Sequence, residues 1–302
     1  METFSAAWLA LREPADHAAR SAALVPLVIA ALARPPQTAA DVSEVTVLDL
    51  GSGAGSNLRY LAGRLPFSQR WRLVDHDAAL LHDALERTRR WAESSGYEAH
   101  ASSDSLDLRR DSWHISVNTR RQDLTVLDPA LFDAGGEPLL VTGAALLDLA
   151  SHQWLASLVA RCAAARAVAL FALTYDGRIA CEPADADDDL VRQLVNRHQH
   201  TDKGFGAAAG PDATTVAATC FDAAGYRVRR AASDWRLGPE SVTLQRELVA
   251  GWAHAAAEVE PARRVGIEAW RDRRLAHIAG GRSWTTVDHE DLVAWPSSVR
   301  VR

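Results

Sequence analysis

Cysteine is scarce in this chain: three residues, Cys162, Cys181 and Cys220, with neither paired nor metal-type spacing. An odd, scattered count excludes a disulfide framework and points to reduced thiols, a cytoplasmic setting and no metal centre. Basic tracts are lacking as well. The 39 acidic residues outnumber 33 basic ones, leaving a formal charge of −6. Binding to a phosphate backbone or an acidic membrane needs a positive field, so a small-molecule partner is favoured over protein or RNA. Arginine dominates the cations, and a local basic groove stays open. Long uninterrupted apolar runs are also missing. Residues 21–33 are apolar, but Glu13, Asp16 and Arg20 precede them and Pro26 breaks them. The run also falls short of the roughly 20 residues of a membrane span. Residues 139–173 are broken by Asp148, His152, Arg161 and Arg166. The expectation is a soluble protein without a membrane segment, an internal repeat or a long linker.

What is present is an alternation. A helical pattern over residues 4–33, divided near Pro14, runs to a stop at Arg34-Pro35-Pro36. Apolar strand patterns follow over 45–50, 71–74, 115–117, 139–142 and 167–174, with later strands expected over 225–235 and 283–293. Helical patterns occupy 56–65, 78–91, 151–165 and much of 239–278. Apolar strands separated by helices indicate a parallel sheet buried on both faces, so the expected fold is α/β and doubly wound with an antiparallel edge. The acidic run at 184–189 suits a solvated loop or a helix start.

The most informative stretch is Asp49-Leu50-Gly51-Ser52-Gly53-Ala54-Gly55-Ser56-Asn57, placed between an expected strand and an expected helix. Glycines there allow a tight turn and close approach of a ligand to the backbone. Asp75, about 20 residues after Gly55, ends the second strand, where a carboxylate can accept from ribose hydroxyls. A dinucleotide fingerprint asks for glycine at the sixth position from Gly51, and Ser56 stands there. A turn without a ligand is the structural alternative.

Val47-Leu48-Asp49-Leu50-Gly51-Ser52-Gly53-Ala54-Gly55 resembles the first motif of class I S-adenosylmethionine (SAM) dependent methyltransferases, and Val74-Asp75-His76-Asp77 resembles their second. The resemblance covers about residues 45–174 and implies a seven-stranded, mainly parallel Rossmann-like sheet under an N-terminal helical cover. It implies a cofactor site at Asp49, Gly51, Ser52, Gly53, Gly55 and Asn57, with Asp75 on the ribose and His76 beside the adenine. Arg121-Gln122-Asp123-Leu124 resembles the third motif, where Asp123 would accept from the adenine amino group and the Leu124 amide would meet the ring. Thr142, in the fourth strand, would lie near the sulfonium, and Arg20 would meet the cofactor carboxylate. SAM would be the methyl donor and S-adenosylhomocysteine the product. The chain divides on this reading into one domain: a cover at 1–40, a SAM-binding half at 41–180, and a substrate-side insertion with C-terminal strands at 181–302. The motif of exocyclic-amine nucleobase methylation and the Pro-Cys pair of carbon-5 pyrimidine methylation are both missing.

For the acceptor, Asp148 and Tyr175 follow the fourth and fifth strands, although Asp148 equally suits a helix cap. Residues 196–206 carry His198, His200, Lys203 and Phe205 between glycines, a pattern for a lid in which a histidine takes a proton and Lys203 meets a carboxylate. An exposed polar loop fits the same residues, and a metal held by His198, His200 and Asp202 fits them less well. Trp8, Arg12, His17 and Arg20 mark one helix face that either covers the pocket or faces solvent. The expected activity is methyl transfer to O or N of a small molecule. The alternatives are a non-catalytic SAM-binding partner and an NAD(P)-dependent oxidoreductase.

Overall fold

The computed structural model describes residues 4–33, 44–111, 113–299 and 301. Among the described residues ten strands form one sheet: β1 (Glu44–Leu50), β2 (Ser68–Asp75), β3 (Glu98–Ala101), β4 (Ser105–Arg110), β5 (Trp113–Arg121), β6 (Leu139–Ala144), β7 (Val168–Glu182), β8 (Tyr226–Ala232), β9 (Trp235–Leu237) and β10 (Trp284–Pro296). Helices α1 (Ala6–Ala19) and α2 (Val25–Leu32) precede them. Between and after the strands come α3 (Ser56–Leu61), α4 (Ala78–Ser94), α5 (His152–Ala165), α6 (Asp188–Gln199), α7 (Ala213–Ala223), α8 (Val242–Val259) and α9 (Arg264–Ala279).

The apolar run of β1 is buried on both faces, which demands a central position, and β1 pairs in parallel with β2 on one side and β6 on the other. The seven strands β5-β2-β1-β6-β7-β10-β8 form the doubly wound, mainly parallel sheet, with β10 antiparallel to both its neighbours. Strand order reverses direction at β1, so a crevice opens between the loops that leave β1 and β6. One apolar layer, with Leu58, Leu61, Trp71 and Leu85, covers one face, and Leu50, Leu155, Phe171 and Phe221 belong to the layer on the other. Residues of α6, α8 and α9 form a separate cluster around Trp270.

The sheet is wider than the seven strands expected. The hairpin β3–β4 extends it beyond β5, and β9 pairs with β10. The hairpin is polar in sequence because it lies at an edge: β3 is largely exposed, and only Leu106 and Leu108 of β4 reach the core, whereas β9 is three residues long with Trp235 and Leu237 buried. The strand expected over 225–235 is two strands, β8 and β9. At the break Ser233 N–H donates to His289 O (2.8 Å) and His289 N–H donates to the Asp234 carboxylate (3.2 Å), which interrupts the ladder.

The N-terminal break also moves. Pro14 lies inside α1, where Arg12 and Asp16 bridge the turn that its missing N–H weakens (2.9 Å). The chain instead leaves the helix at Arg20 (ψ 138°) and resumes in α2 with Pro26 in its first turn. The expected stop at Arg34-Pro35-Pro36 lies outside the described residues. The acidic run opens α6, and its charges are paired: Arg273 holds Asp185 (2.6 Å) and Asp187 (2.7 Å), and the buried Arg274 holds Asp188.

Opposite Asp291 of β10, β7 bulges: Glu290 pairs with Thr174 and Leu292 with Phe171, so Asp291 faces two residues. Leu173 in the bulge has φ +56°, a strained value for a bulky side chain. The buried Asp291 carboxylate holds it there, accepting Leu173 N–H (2.8 Å) and Ser21 N–H (2.9 Å) just past α1. Asp291→Ala leaves both amides without that acceptor and should cost about 2–5 kcal/mol of unfolding free energy in urea titration. Asp291→Asn, which keeps one acceptor oxygen, should lose less, and equal stability of all three proteins would contradict this role.

Candidate functional site

After β1 the backbone turns through three left-handed glycines, Gly51 (φ +64°), Gly53 (+49°) and Gly55 (+78°). A Cβ on Gly53 would stand 3.1 Å from the Leu9 side chain, so the bare backbone is what lets α1 lie on the loop. Asp75, at the end of β2, fastens the turn: its carboxylate accepts Gly53 N–H (2.9 Å) and Asp77 N–H (3.0 Å). Two acceptor oxygens offer about four lone-pair sites, so the buried carboxylate keeps accepting capacity toward the crevice it lines. His76 stands beside it, Nδ1 3.2 Å from Asp75 Oδ1.

Beneath the turn lies a buried polar network. Asn57 Nδ2 donates to Asp49 Oδ1 (2.8 Å) and to Thr142 Oγ1 (3.1 Å), and Thr142 donates to Leu170 O (2.7 Å). Arg20 donates to Asn57 Oδ1 (2.5 Å) and stacks over Tyr60. Burial pushes the Asp49 carboxyl up to about 7, against the opposing pull of Asn57 and Arg20. Asp49 and Thr142 therefore support the floor of the site, while Gly51, Ser52, Gly53, Asn57 and Arg20 reach its surface.

The inner face of α1 is a grip. Glu13 pairs with Arg59 (2.6 Å), His17 Nε2 lies 3.1 Å from Ser56 O and 3.0 Å from its hydroxyl, and Arg20 takes Asn57, all on α3. Arg12 holds Asp16, whose Oδ1 also accepts the Trp235 indole N–H (3.1 Å). The face marked by Arg12, His17 and Arg20 thus covers the crevice, and Trp8 packs outside it with Trp235 and Leu244.

At the end of β5 the structure separates neighbours that the sequence places together. Asp123 is exposed, and its carboxyl lies below the usual range because it accepts the Thr125 amide (2.8 Å). Gln122 lines the crevice instead, with a buried Oε1 that no hydrogen bond satisfies. Leu124 lines it too, its carbonyl accepting the Trp154 indole N–H (2.6 Å). The position after a parallel strand was the signal for Gln122, but an amide is less conspicuous than the adjacent acid.

On the β6–β7 side the wall is apolar: Leu146, Leu149, Leu173 and Phe205, joined by the buried Lys203. Asp148 and Tyr175 lie behind it. The Tyr175 hydroxyl donates to Asn196 Oδ1 (2.7 Å), and Asp148 Oδ1 is buried without a partner. His198 and His200 point away. His198 Nε2 meets Glu258 (3.0 Å) and His200 Nδ1 meets Ala208 O (3.2 Å). No group of three metal-type ligands occurs among the described residues, and no helix among them is long and apolar enough to cross a membrane.

No protein-family model and no curated protein matches this chain. Solved structures similar to it include cyclopropane synthases and methyltransferases. A cyclopropane synthase from Mycobacterium tuberculosis shares 11% identity over 96% of this chain and 94% of its own, with a TM-score of 0.46. A SAM-dependent methyltransferase from Thiobacillus denitrificans, in complex with S-adenosylhomocysteine, shares 12% over 98% and 100%, with a TM-score of 0.42. A putative sarcosine dimethylglycine methyltransferase from Galdieria sulphuraria shares 12% over 84% and 79%, with a TM-score of 0.37. At these values the functional reading rests on the chain's own residues.

Burial raises the Asp148 carboxyl to about 6. Native Asp148 thus keeps its proton where the unfolded chain has released it, and its contribution to stability declines as pH rises from about 4 to about 6. Asp148→Asn has no proton to lose. Its melting temperature relative to the unsubstituted protein should therefore rise across that window, by an equivalent of about 3 kcal/mol, and stay level above it. A difference that does not vary with pH would contradict the buried, neutral carboxyl.

Proposed function

We propose that the protein is a SAM-dependent methyltransferase that methylates an O or N atom of a small molecule. The observation that carries this reading is the crevice at the strand-order reversal, where the glycine turn after β1 and the Asp75 carboxylate after β2 face one space. The unsatisfied polar atoms along it suit this cofactor. Arg20, with a buried Nε lacking a partner, would take the methionine carboxylate. Asp75 would accept from the ribose hydroxyls, and Gln122 Oε1 from the adenine amino group. His76, Leu80 and Leu124 offer flanking surfaces for the base.

SAM bound there supplies a methyl group on a sulfonium, open to in-line displacement. The protein's part is alignment and exclusion of water. The glycine turn and α1 fix one side of the crevice, and Leu146, Leu149, Leu173 and Phe205 keep the opposite wall apolar. His198 and His200 are engaged elsewhere and have no place in this account of the transfer.

Calorimetric titration with S-adenosylhomocysteine tests the proposal. The protein should bind it and give no binding heat with NAD. Asp75→Asn should weaken binding about 10- to 100-fold, the loss expected for a hydrogen bond to a charged acceptor. Gln122→Leu should weaken it less, and Asp123→Asn should leave it unchanged. Absence of binding, or affinity indifferent to Asp75→Asn, overturns the reading; binding without turnover across small-molecule acceptors would instead favour a regulatory SAM-binding protein.

A further inference from the structure

Two residues that line the crevice hold a backbone conformation that favours glycine. Ala145, where the chain leaves β6, has φ +52°, and Leu173, in the β7 bulge, has φ +56°. They sit side by side, since Ala145 N–H donates to Ala172 O (2.9 Å). The bulky leucine is the costlier of the two there, and the buried Asp291 carboxylate keeps it in place. Leu173 is buried, yet among the described residues it joins neither apolar layer of the sheet and lines the crevice instead. Strain maintained at a crevice wall points to the side chain as what the position supplies.

The wall around Leu173 is apolar and fixed. Leu146 lies directly against the glycine turn and β6: a Cβ would stand 3.3 Å from its side chain at Gly51 and 3.1 Å at Gly143. Leu149 closes the short turn of helix after β6 (Leu147–Leu149). Phe205 packs edge-on to Trp154 (5.2 Å), in a loop where Asp202 Oδ1 gathers Gly204 N–H (2.7 Å) and Gly206 N–H (3.0 Å). The charged groups on this side are engaged. Asp16 is held by Arg12 and by the Trp235 indole, and Lys203 has its own contacts, with Nζ 3.2 Å from His198 Nδ1.

We infer that the methyl acceptor is an uncharged molecule carrying its O or N atom on a hydrocarbon body, and that this body packs against Leu173. The inference rests on the reading of the crevice as a SAM site. With the cofactor along the glycine turn and Asp75, the space left for the acceptor is the one lined by Leu146, Leu149, Leu173 and Phe205. Hydrocarbon buried there gains from leaving water, about fourfold in affinity per methylene. A carboxylate or an ammonium would give up its hydration against the same wall and find its counter-charges already bound to other groups. Leu173 is then a specificity-determining residue, and Asp291 acts through it.

Butanol, hexanol, hexanoate and hexylamine make the test, each titrated into the protein saturated with S-adenosylhomocysteine. Hexanol should bind about tenfold more tightly than butanol, and about tenfold or more above hexanoate and hexylamine. Leu173→Ala and Leu173→Gly should each weaken hexanol about tenfold, with S-adenosylhomocysteine affinity within about twofold, which shows that the variants are folded. Leu173→Gly should also melt above Leu173→Ala, because alanine keeps the strained φ and glycine does not. Hexanol affinity and stability then part company, whereas a purely structural leucine would move them together. Equal affinity for butanol and hexanol, a charged probe bound as tightly as hexanol, no hexanol binding to the loaded protein, or hexanol affinity unchanged in the Leu173 variants overturns the inference. The comparisons on the unsubstituted protein decide it even where a variant does not fold. A protein that fails to bind S-adenosylhomocysteine fails one step earlier, at the proposed function itself.

Discussion

The side chain of Asn57 is the joint on which the site depends. Its amide nitrogen is shared between Asp49 at the end of β1 and Thr142 of β6, and its oxygen receives Arg20 from the N-terminal cover. Two central strands, the helix after the glycine turn and the segment lying over it are thereby fixed to one buried group. The crevice opens above this joint because the strand order reverses between the same two strands. Asp49 is fully buried and burial raises its carboxyl to about 7, a cost that the Asn57 hydrogen bond and the nearby Arg20 charge offset in part.

Much of this was legible in the chain. The apolar run ending in Asp49 and followed by spaced glycines specifies a central strand and a tight turn, and Asp75 falls where the next parallel strand must end. What resisted reading was set by long-range contacts. The hairpin β3–β4 lies at the sheet margin, where few apolar residues are needed and the alternation fades, and the three residues of β9 are too few to set a period. Pro14 suggested a helix break, but the break falls at Arg20 because its guanidinium turns inward to Asn57 and Ser21 is held by Asp291, 270 residues on. Asp16 gave no signal at all, since its partner Trp235 is 219 residues away. Gln122 and Asp123 show the same limit at one-residue scale: an acid drew attention, while backbone direction at the end of β5 presents the amide.

The crevice is asymmetric in a way that suits two different ligands in one space. Its β2–β5 side carries acceptors, Asp75 and Gln122, and its β6–β7 side carries aliphatic and aromatic surface with a single ammonium. The strained Leu173 belongs to that second side, kept in place by the buried Asp291 that also secures the cover. Loop, bulge and cover converge on the same volume, and each is held from beneath by a carboxylate or an amide that never leaves the interior.

The most direct measurement is a crystal structure of the protein grown with S-adenosylhomocysteine. The account predicts the ligand between the loops leaving β1 and β6, its carboxylate at Arg20, its ribose hydroxyls at Asp75 and its adenine amino group at Gln122. A ligand bound elsewhere, or reversed so that the adenine meets Lys203 and Phe205, would contradict it.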